Sequence, residues 1–361
     1  MLSNILLPPG LELPLAAPFL TTPGNGRLYL PAFDETAELL RQFGCAHLSD
    51  LELKLGGDAQ RPHIWQLLPG AHELTAHIYG CVDFAPFYEL CDALKLERVA
   101  IRDLACSGDH CRMLLSAHTP ARQLTRQLRP LAERLGIDIA CIATPPSPTL
   151  AAPGMLFMDM DSTLIQCECI DEIADFLGIK AQIAAITQQS MEGKLDFAAS
   201  FTERVRLLAG LDASVLQQVL TERVQLMPGA GQLIRALHAN GWKVGLVSGG
   251  FTFFTDHFRQ TLKLDFALGN ELEIENGKLT GRYIGAVVDG AAKLSALRRM
   301  AGEWAIPMSQ TVAIGDGAND LPMIEAAGMG IAFHAKPKVR ELAPYAVSHG
   351  GLERALDLLG N

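Results

Sequence analysis

From Met155 onward, short apolar runs alternate with longer stretches of helical period. The runs Met155–Met158, Trp242–Val247, Gln310–Ile314 and Met329–Ala332 lack the in-and-out alternation of a half-exposed strand. Uniformly apolar runs of this length read as strands buried on both faces, the situation of parallel strands whose sheet is covered by helices on both sides. The expectation is a doubly wound α/β fold. Between Asp171 and Ala239 the period is helical and no strand pattern stands out, which predicts a small helical cap over about residues 168–240. Glu275-Asn276-Gly277, between Leu272–Ile274 and Lys278–Thr280, reads as a β-hairpin, because Asn-Gly supplies the positive φ angles that a tight hairpin turn requires.

Upstream the pattern differs. His72–Tyr79, Val99–Leu104, Cys111–Ala117 and Asp138–Ala143 read as strands, with helices over Phe84–Leu94 and Pro120–Leu135. This βαββαβ order is the ferredoxin-like arrangement. In topology it resembles the amino-acid-binding ACT domains. The ligand loop of that family carries Pro-Gly where this chain has Pro86-Phe87. Residues 1–70 hold one helical stretch, Glu35–Phe43, and one strand pattern, Leu51–Leu55, and read as an extension or a degenerate second ACT-like copy. Pro145-Pro146-Ser147-Pro148 through Pro153-Gly154 is the expected linker, so the expected domains are 1–70, 71–146 and 151–361.

Charge and composition narrow the function classes. The 361 residues carry a net charge of −10 and no basic stripe, which argues against nucleic acid as a partner. No run approaches the roughly 20 uninterrupted apolar residues of a membrane span, and Pro8-Pro9-Gly10 interrupts the apolar start before the first basic residue, Arg27. A cytoplasmic protein is expected. All eight cysteines lie at or before Cys169, a poor disulfide framework, and the pairs Cys106/Cys111 and Cys167/Cys169 read as small buried hydrophobes in a reducing compartment.

Candidate chemistry concentrates where strands end. Met155–Met158 runs straight into Asp159-Met160-Asp161-Ser162-Thr163. Open α/β sheets bind ligands at the carboxyl ends of their strands. There one Asp can attack phosphorus while a neighbouring carboxylate shuttles the proton. Read alone, Asp159 also fits a helix cap and Asp161 a turn. Gly315-Asp316-Gly317-Ala318-Asn319-Asp320 ends a second buried strand. Phosphate beside two carboxylates calls for a hard cation with oxygen ligands, Mg²⁺ in particular, and Asp316 is a third acid for it. Ser248-Gly249-Gly250 can offer a hydroxyl and backbone N–H groups to phosphate, and Lys293 a compensating charge. In isolation these are equally a plain turn and a surface lysine.

The order Asp-x-Asp-Ser-Thr, Ser-Gly-Gly, Lys, Gly-Asp-Gly-Ala-Asn-Asp resembles the haloacid dehalogenase superfamily of phosphatases. Within it the resemblance is to the phosphoserine phosphatase family, over roughly Met155–Pro337, through Glu168-Cys169-Ile170-Asp171-Glu172, Met191 to Phe197 and Arg204. The resemblance implies a Rossmann-like core that hydrolyses O-phospho-L-serine, a small-molecule substrate, in the last step of serine biosynthesis. It implies Asp159 as nucleophile, Asp161 as general acid/base, and Mg²⁺ held by Asp159, the Asp161 backbone carbonyl and Asp316. Glu168 and Arg204 would face the substrate's ammonium and carboxylate, with Met191 and Phe197 closing over it. A zwitterion does need one partner of each sign, and Arg grips a carboxylate in a fork; without the motif the pair reads as an ion pair within the cap. Ser248, Gly249, Lys293 and Asn319 would hold the phosphoryl group, and Asp320 would support the metal or Lys293. Met160 departs from the aromatic residue frequent in the family. The rival readings are a phosphatase for another small phosphomonoester and a phospho-accepting amino-acid sensor, and a homodimer through the N-terminal domain is a further possibility.

Overall fold

The computed structural model describes residues 72–80, 89–90, 93–94, 99–107, 109–191 and 195–360, with the backbone alone at 100–107 and 191. The expected elements at 35–43 and 51–55, and most of the helix expected over 84–94, lie outside these residues. The chain divides into two compact units, Met1–Pro146 and Ser147–Asn361.

In the first unit, strands β1 (His72–Tyr79), β2 (Ala100–Ser107), β3 (His110–Ala117) and β4 (Asp138–Ala143) form an antiparallel sheet in the order β2-β3-β1-β4. Helix α1 (Ala121–Leu135) buries Leu124, Leu128 and Ala132, a stripe at i, i+4 and i+8 that falls on one helical face. Gly136 ends the helix at φ 65° and returns its N–H to Glu133. Thr125 Oγ1 accepts the Cys141 N–H at 2.9 Å, tying helix to strand inside the unit. In β1 the side chain of His77 is 6% exposed, its Nδ1 lies 3.1 Å from His110 Nε2, and the two rings stack at 5.3 Å. Burial, then His110 and Arg112, lowers the His77 pKa to about 3. Cys111 is disulfide-bonded and stands opposite Cys106 across the β2–β3 ladder, which corrects the reading of Cys111 as a free buried thiol: the register places the two cysteines side by side.

The second unit is built on a seven-stranded sheet. In chain order it contributes β5 (Met155–Met158), the cap helices α2 (Cys169–Asp175), α3 (Lys180–Met191), α4 (Phe197–Arg206) and α5 (Val215–Glu222), then α6 (Ala230–Ala239), β6 (Lys243–Phe251), α7 (Thr252–Thr261) and β7 (Phe266–Glu275). There follow β8 (Lys278–Ile284), α8 (Gly290–Glu303), β9 (Thr311–Gly315), α9 (Leu321–Ala326), β10 (Met329–Phe333), α10 (Pro337–Leu342), β11 (Tyr345–Val347) and α11 (Arg354–Leu358). The sheet order is β11-β10-β9-β5-β6-β7-β8. From β11 to β7 the pairing is parallel, and β7–β8 is antiparallel. Every residue of β5, β9 and β10 is buried, as their apolar runs require. Met155, Phe157, Val247, Leu297, Ala313, Ile324 and Ala332 form the core on one face.

Two boundaries differ from the sequence reading. Strand β6 does not stop at Val247; it runs through Ser248-Gly249-Gly250 to Phe251, which pairs with Asn270. The hairpin extends from Phe266 to Ile284, with Asn276 and Gly277 at φ 50° and 75° in the turn, because the first half of β7 also serves as a sheet partner of β6. Among the described residues no helix is long and apolar enough to cross a membrane.

Candidate active site

Strand β5 lies between β9 and β6, at the point where the chain switches from building one side of the sheet to the other. A crevice opens at such a point beyond the carboxyl ends of the strands. Asp159 and Asp316 are the residues immediately after β5 and β9, and Ser248 lies in β6, their neighbour on the other side of β5.

After β5 the chain makes a wide helical turn, Met160–Leu164. The carboxylate of Asp159 accepts the Met160 N–H at 2.7 Å and so fixes the turn's start. Ser162 takes φ 55°, a left-handed conformation that costs free energy in a residue with a Cβ. Its hydroxyl donates to Glu168 Oε1 at 2.6 Å, which holds the cap glutamate over the turn. Asp161 Oδ1 accepts the N–H of Cys169, the first residue of α2, at 2.9 Å. Its other oxygen turns toward β6, where a Cβ on Gly250 would lie 2.5 Å from Asp161 Oδ2. Only glycine fits beside that acid.

Behind Asp159 sits Lys293, on α8 and 0% exposed, its Nζ 2.9 Å from Asp159 Oδ1 and 2.7 Å from Asp320 Oδ1. Asp320 Oδ2 in turn accepts the Gly317 N–H at 3.0 Å. Lys293 is therefore not the surface lysine its residue type suggests. Burial opposes its charge, yet Asp159 and Asp320 outweigh burial and hold the ammonium above its usual pKa. The acids move up. Burial and the Asp320 charge raise Asp159 to about 7, burial raises Asp161 to about 6, and burial with the Asp161 charge raises Glu168 to about 8. Asp316 rises well above the usual carboxylate range through burial and the charges of Glu168, Asp320 and Asp159.

Asp159, Asp316 and Asp320 each bring a carboxylate oxygen within 4.8 Å of the others. Asp316 Oδ1 accepts from Thr163 at 3.4 Å, but Asp316 Oδ2 is buried with no hydrogen-bond partner among the described residues. A buried carboxylate oxygen without a partner is costly. Three hard oxygen donors with one orphaned atom are what a divalent cation takes up. The residues fit such an ion.

The cap supplies the opposite wall. Glu168, Thr187, Ser190, Phe197, Phe201 and Arg204 line one pocket together with Asp159, Asp161, Ser248, Gly249, Gly250 and Asn319. Arg204 is 5% exposed, with Nε donating to Ser200 O at 3.2 Å and Nη1 to Thr187 Oγ1 at 3.1 Å. Burial lowers its pKa, opposed by Glu168, Asp171 and Asp161. Phe197 reaches down to the core: a Cβ on Gly249 would meet Phe197 Cζ at 2.5 Å. Lys293, Asp316 and Asp320 stand behind the pocket rather than in its lining, and the side chain of Met191 lies outside the described structure.

Four contributors have no assigned role in the sequence reading, although Ser162 and Thr163 lie inside its first motif. Asn270 Nδ2 donates to Gly249 O at 2.8 Å and its Oδ1 accepts Val288 N–H at 2.8 Å, so it holds the glycine strand in place. A buried Asn within a β-strand was its signal. Ser162 reaches only six residues ahead to Glu168, whereas Thr163 and Thr187 join separate elements, and single hydroxyls in sequence give no sign of either.

Comparisons with known proteins agree with this geometry. Residues 156–325 match the family model described as haloacid dehalogenase-like hydrolase. The chain is 52% identical over 229 residues to a phosphoserine phosphatase of Streptomyces coelicolor, covering 63% of this chain and 55% of that one, so the match spans little more than half of that relative's length. It is 45% identical over 230 residues to a phosphoserine phosphatase of Vibrio cholerae, covering 64% of this chain and 69% of that one. The structure of a HAD family hydrolase from Salmonella enterica serovar Typhi superposes with a TM-score of 0.69 at 34% identity, over 80% of this chain and 99% of that one. With the turn after β5, the buried lysine and the acidic cluster all inside the matched segment, the chain belongs to the haloacid dehalogenase-like hydrolases and groups with their phosphoserine phosphatases.

Proposed function

We propose that this chain hydrolyses O-phospho-L-serine to L-serine and phosphate through an aspartyl-phosphate on Asp159, with Mg²⁺ held by Asp159, Asp316 and the Asp161 backbone carbonyl. The observation that carries it is the single pocket shared by Asp159, Asp161, Glu168 and Arg204: a nucleophile, a proton carrier, an anion and a cation around one small space. Bound Mg²⁺ supplies charge neutralisation for the phosphoryl oxygens.

Asp159 attacks phosphorus in line, and Lys293 behind it keeps the carboxylate oriented and offsets its charge. Asp161, whose pKa near 6 leaves it able both to give and to take a proton around neutrality, protonates the departing serine oxygen. It then deprotonates the water that cleaves the acyl phosphate. Ser248 and Asn319 face the phosphoryl group, with the Gly249 backbone beside them. Glu168 takes the substrate ammonium, and Arg204 takes the carboxylate in a fork. Phe197, already against Gly249, shields the reacting atoms from water. Asp320 holds Lys293 and Gly317 in place.

Residues 71–146 are best read as an ACT-like βαββαβ domain, on the support of the β2-β3-β1-β4 antiparallel order and helix α1, in a cytoplasmic enzyme that would pair as a homodimer through its N-terminal domain. The test of the activity is phosphate release from L-phosphoserine, p-nitrophenyl phosphate and a sugar phosphate, with and without Mg²⁺. A strong Mg²⁺-dependent preference for phosphoserine is expected. Equal rates on all three would assign another phosphomonoester, and no release from any would favour the sensor reading.

A further inference from the structure

Resting on the reading of Arg204 as the substrate-carboxylate grip, we infer that Thr187 and Asp171 are its positioning residues, and that they set the preference for substrates bearing a carboxylate. Thr187 is on α3, Arg204 on α4 and Asp171 on α2, so the three come together only when the cap helices pack. Thr187 Oγ1 accepts from Arg204 Nη1 at 3.1 Å and donates to Asp171 Oδ1 at 3.0 Å, with Ile183 O at 3.1 Å as a second acceptor for the same proton. Thr187 is 3% exposed and Arg204 5%.

The arithmetic of donors explains the arrangement. A guanidinium has five N–H donors. Nε is used by Ser200 O and one Nη1 hydrogen by Thr187, which leaves three donors on a residue that lines the pocket. Had Asp171 met Arg204 directly, a bidentate pair would occupy the fork and cancel the charge that a substrate carboxylate needs. A hydroxyl placed between them transmits orientation without taking the fork. The Asp171 carboxylate fixes which way the Thr187 proton points, and so leaves the Thr187 lone pair toward Arg204. Its direct partners, Ser200 O and Thr187 Oγ1, are uncharged, so no carboxylate occupies the fork, and Glu168, Asp171 and Asp161 act on the guanidinium only from farther away. No proton is transferred and no bond is made in this role. Thr187 and Asp171 act before chemistry, on which substrates are held.

The test compares KM and kcat for L-phosphoserine and for phosphoethanolamine, which keeps the phosphate and the amine and lacks the carboxylate, in wild type, Thr187→Val, Thr187→Ser and Asp171→Asn. Loss of a hydrogen bond to a charged group predicts a rise of about tenfold in KM for phosphoserine in Thr187→Val. The KM for phosphoethanolamine and both kcat values change by less than about twofold, and Thr187→Ser restores the wild-type KM because it keeps the hydroxyl. Asp171→Asn, which still accepts the hydrogen bond, falls between wild type and Thr187→Val. A parallel rise for both substrates in Thr187→Val, or no rescue by Thr187→Ser, would overturn the positioning role. If wild type itself does not prefer phosphoserine over phosphoethanolamine, the assignment of Arg204 fails first, and the variants are not needed to show it.

Discussion

Both compact units bury titratable side chains, and they do so in opposite ways. In the four-stranded sheet, His77 is buried beside His110 and near Arg112, and it resolves the conflict by staying neutral: its pKa falls to about 3. In the seven-stranded unit, Asp159, Asp316, Asp320 and Lys293 are buried as a charged cluster, with Lys293 held in its charged form by two of the acids. A lone base surrounded by positive potential discharges. A base in contact with acids keeps its charge, as Lys293 does, and here the acids outnumber the base, so burial and mutual repulsion push Asp159 and Asp316 up and leave an orphaned Asp316 oxygen. Discharge makes a structural residue; an unbalanced acidic cluster makes a site that fits a cation.

The sharpest break of this contrast is Asp159→Asn. It removes the attacking oxygen's charge, so turnover falls by more than about a thousandfold. Because it also takes one negative charge out of an over-acidic cluster, the fold persists, as circular dichroism and a denaturant midpoint no lower than wild type will show. Near wild-type activity in this variant would sink the mechanism. Next in size is Lys293→Met, which leaves Asp159 and Asp320 facing each other without their shared cation. Removing one partner from a buried ion pair costs about 3–5 kcal/mol. A urea titration in the absence of Mg²⁺ should show that loss, and added Mg²⁺ should recover part of it.

The smallest effect tests the other half of the comparison. The unfolded chain protonates His77 near its ordinary value of 6.5, whereas the folded sheet does not until about pH 3. Stability from this group is therefore complete above about pH 6.5. It declines as the pH falls through the window down to 3, by up to about 1.4 kcal/mol per pH unit. Hydrogen exchange of β1 amides at pH 7 and pH 5 measures it. His77→Gln should flatten the difference, and an unchanged pH slope would show that His77 is not its source.

The sequence made the skeleton of the site legible because its strands are short, apolar and uninterrupted. Met155–Met158 is found at its expected bounds, Gln310–Ile314 is found shifted by one residue to Thr311–Gly315, and Met329–Ala332 extends by one to Phe333. The apolar signal failed at Ser248-Gly249-Gly250, where small and polar residues look like a turn although the backbone continues as strand. It failed again for Thr187 and Asp171, which lie on two different cap helices and acquire meaning only through a third residue on another. The disulfide at Cys111 was hidden for a related reason: sequence spacing does not show which thiols the fold brings within bonding distance.

The contact of Phe197 with Gly249 joins two positions that lie far apart along the chain, one on a cap helix and one on β6, and both line the pocket. Bulk at these two positions is shared. A methyl group added at 249 has nowhere to go unless the ring at 197 gives up the same space, so the two sites form one steric allowance. Anyone reshaping the pocket for a larger phosphate ester would do best to redistribute volume across that seam, trimming the ring, before touching the charged residues beneath it.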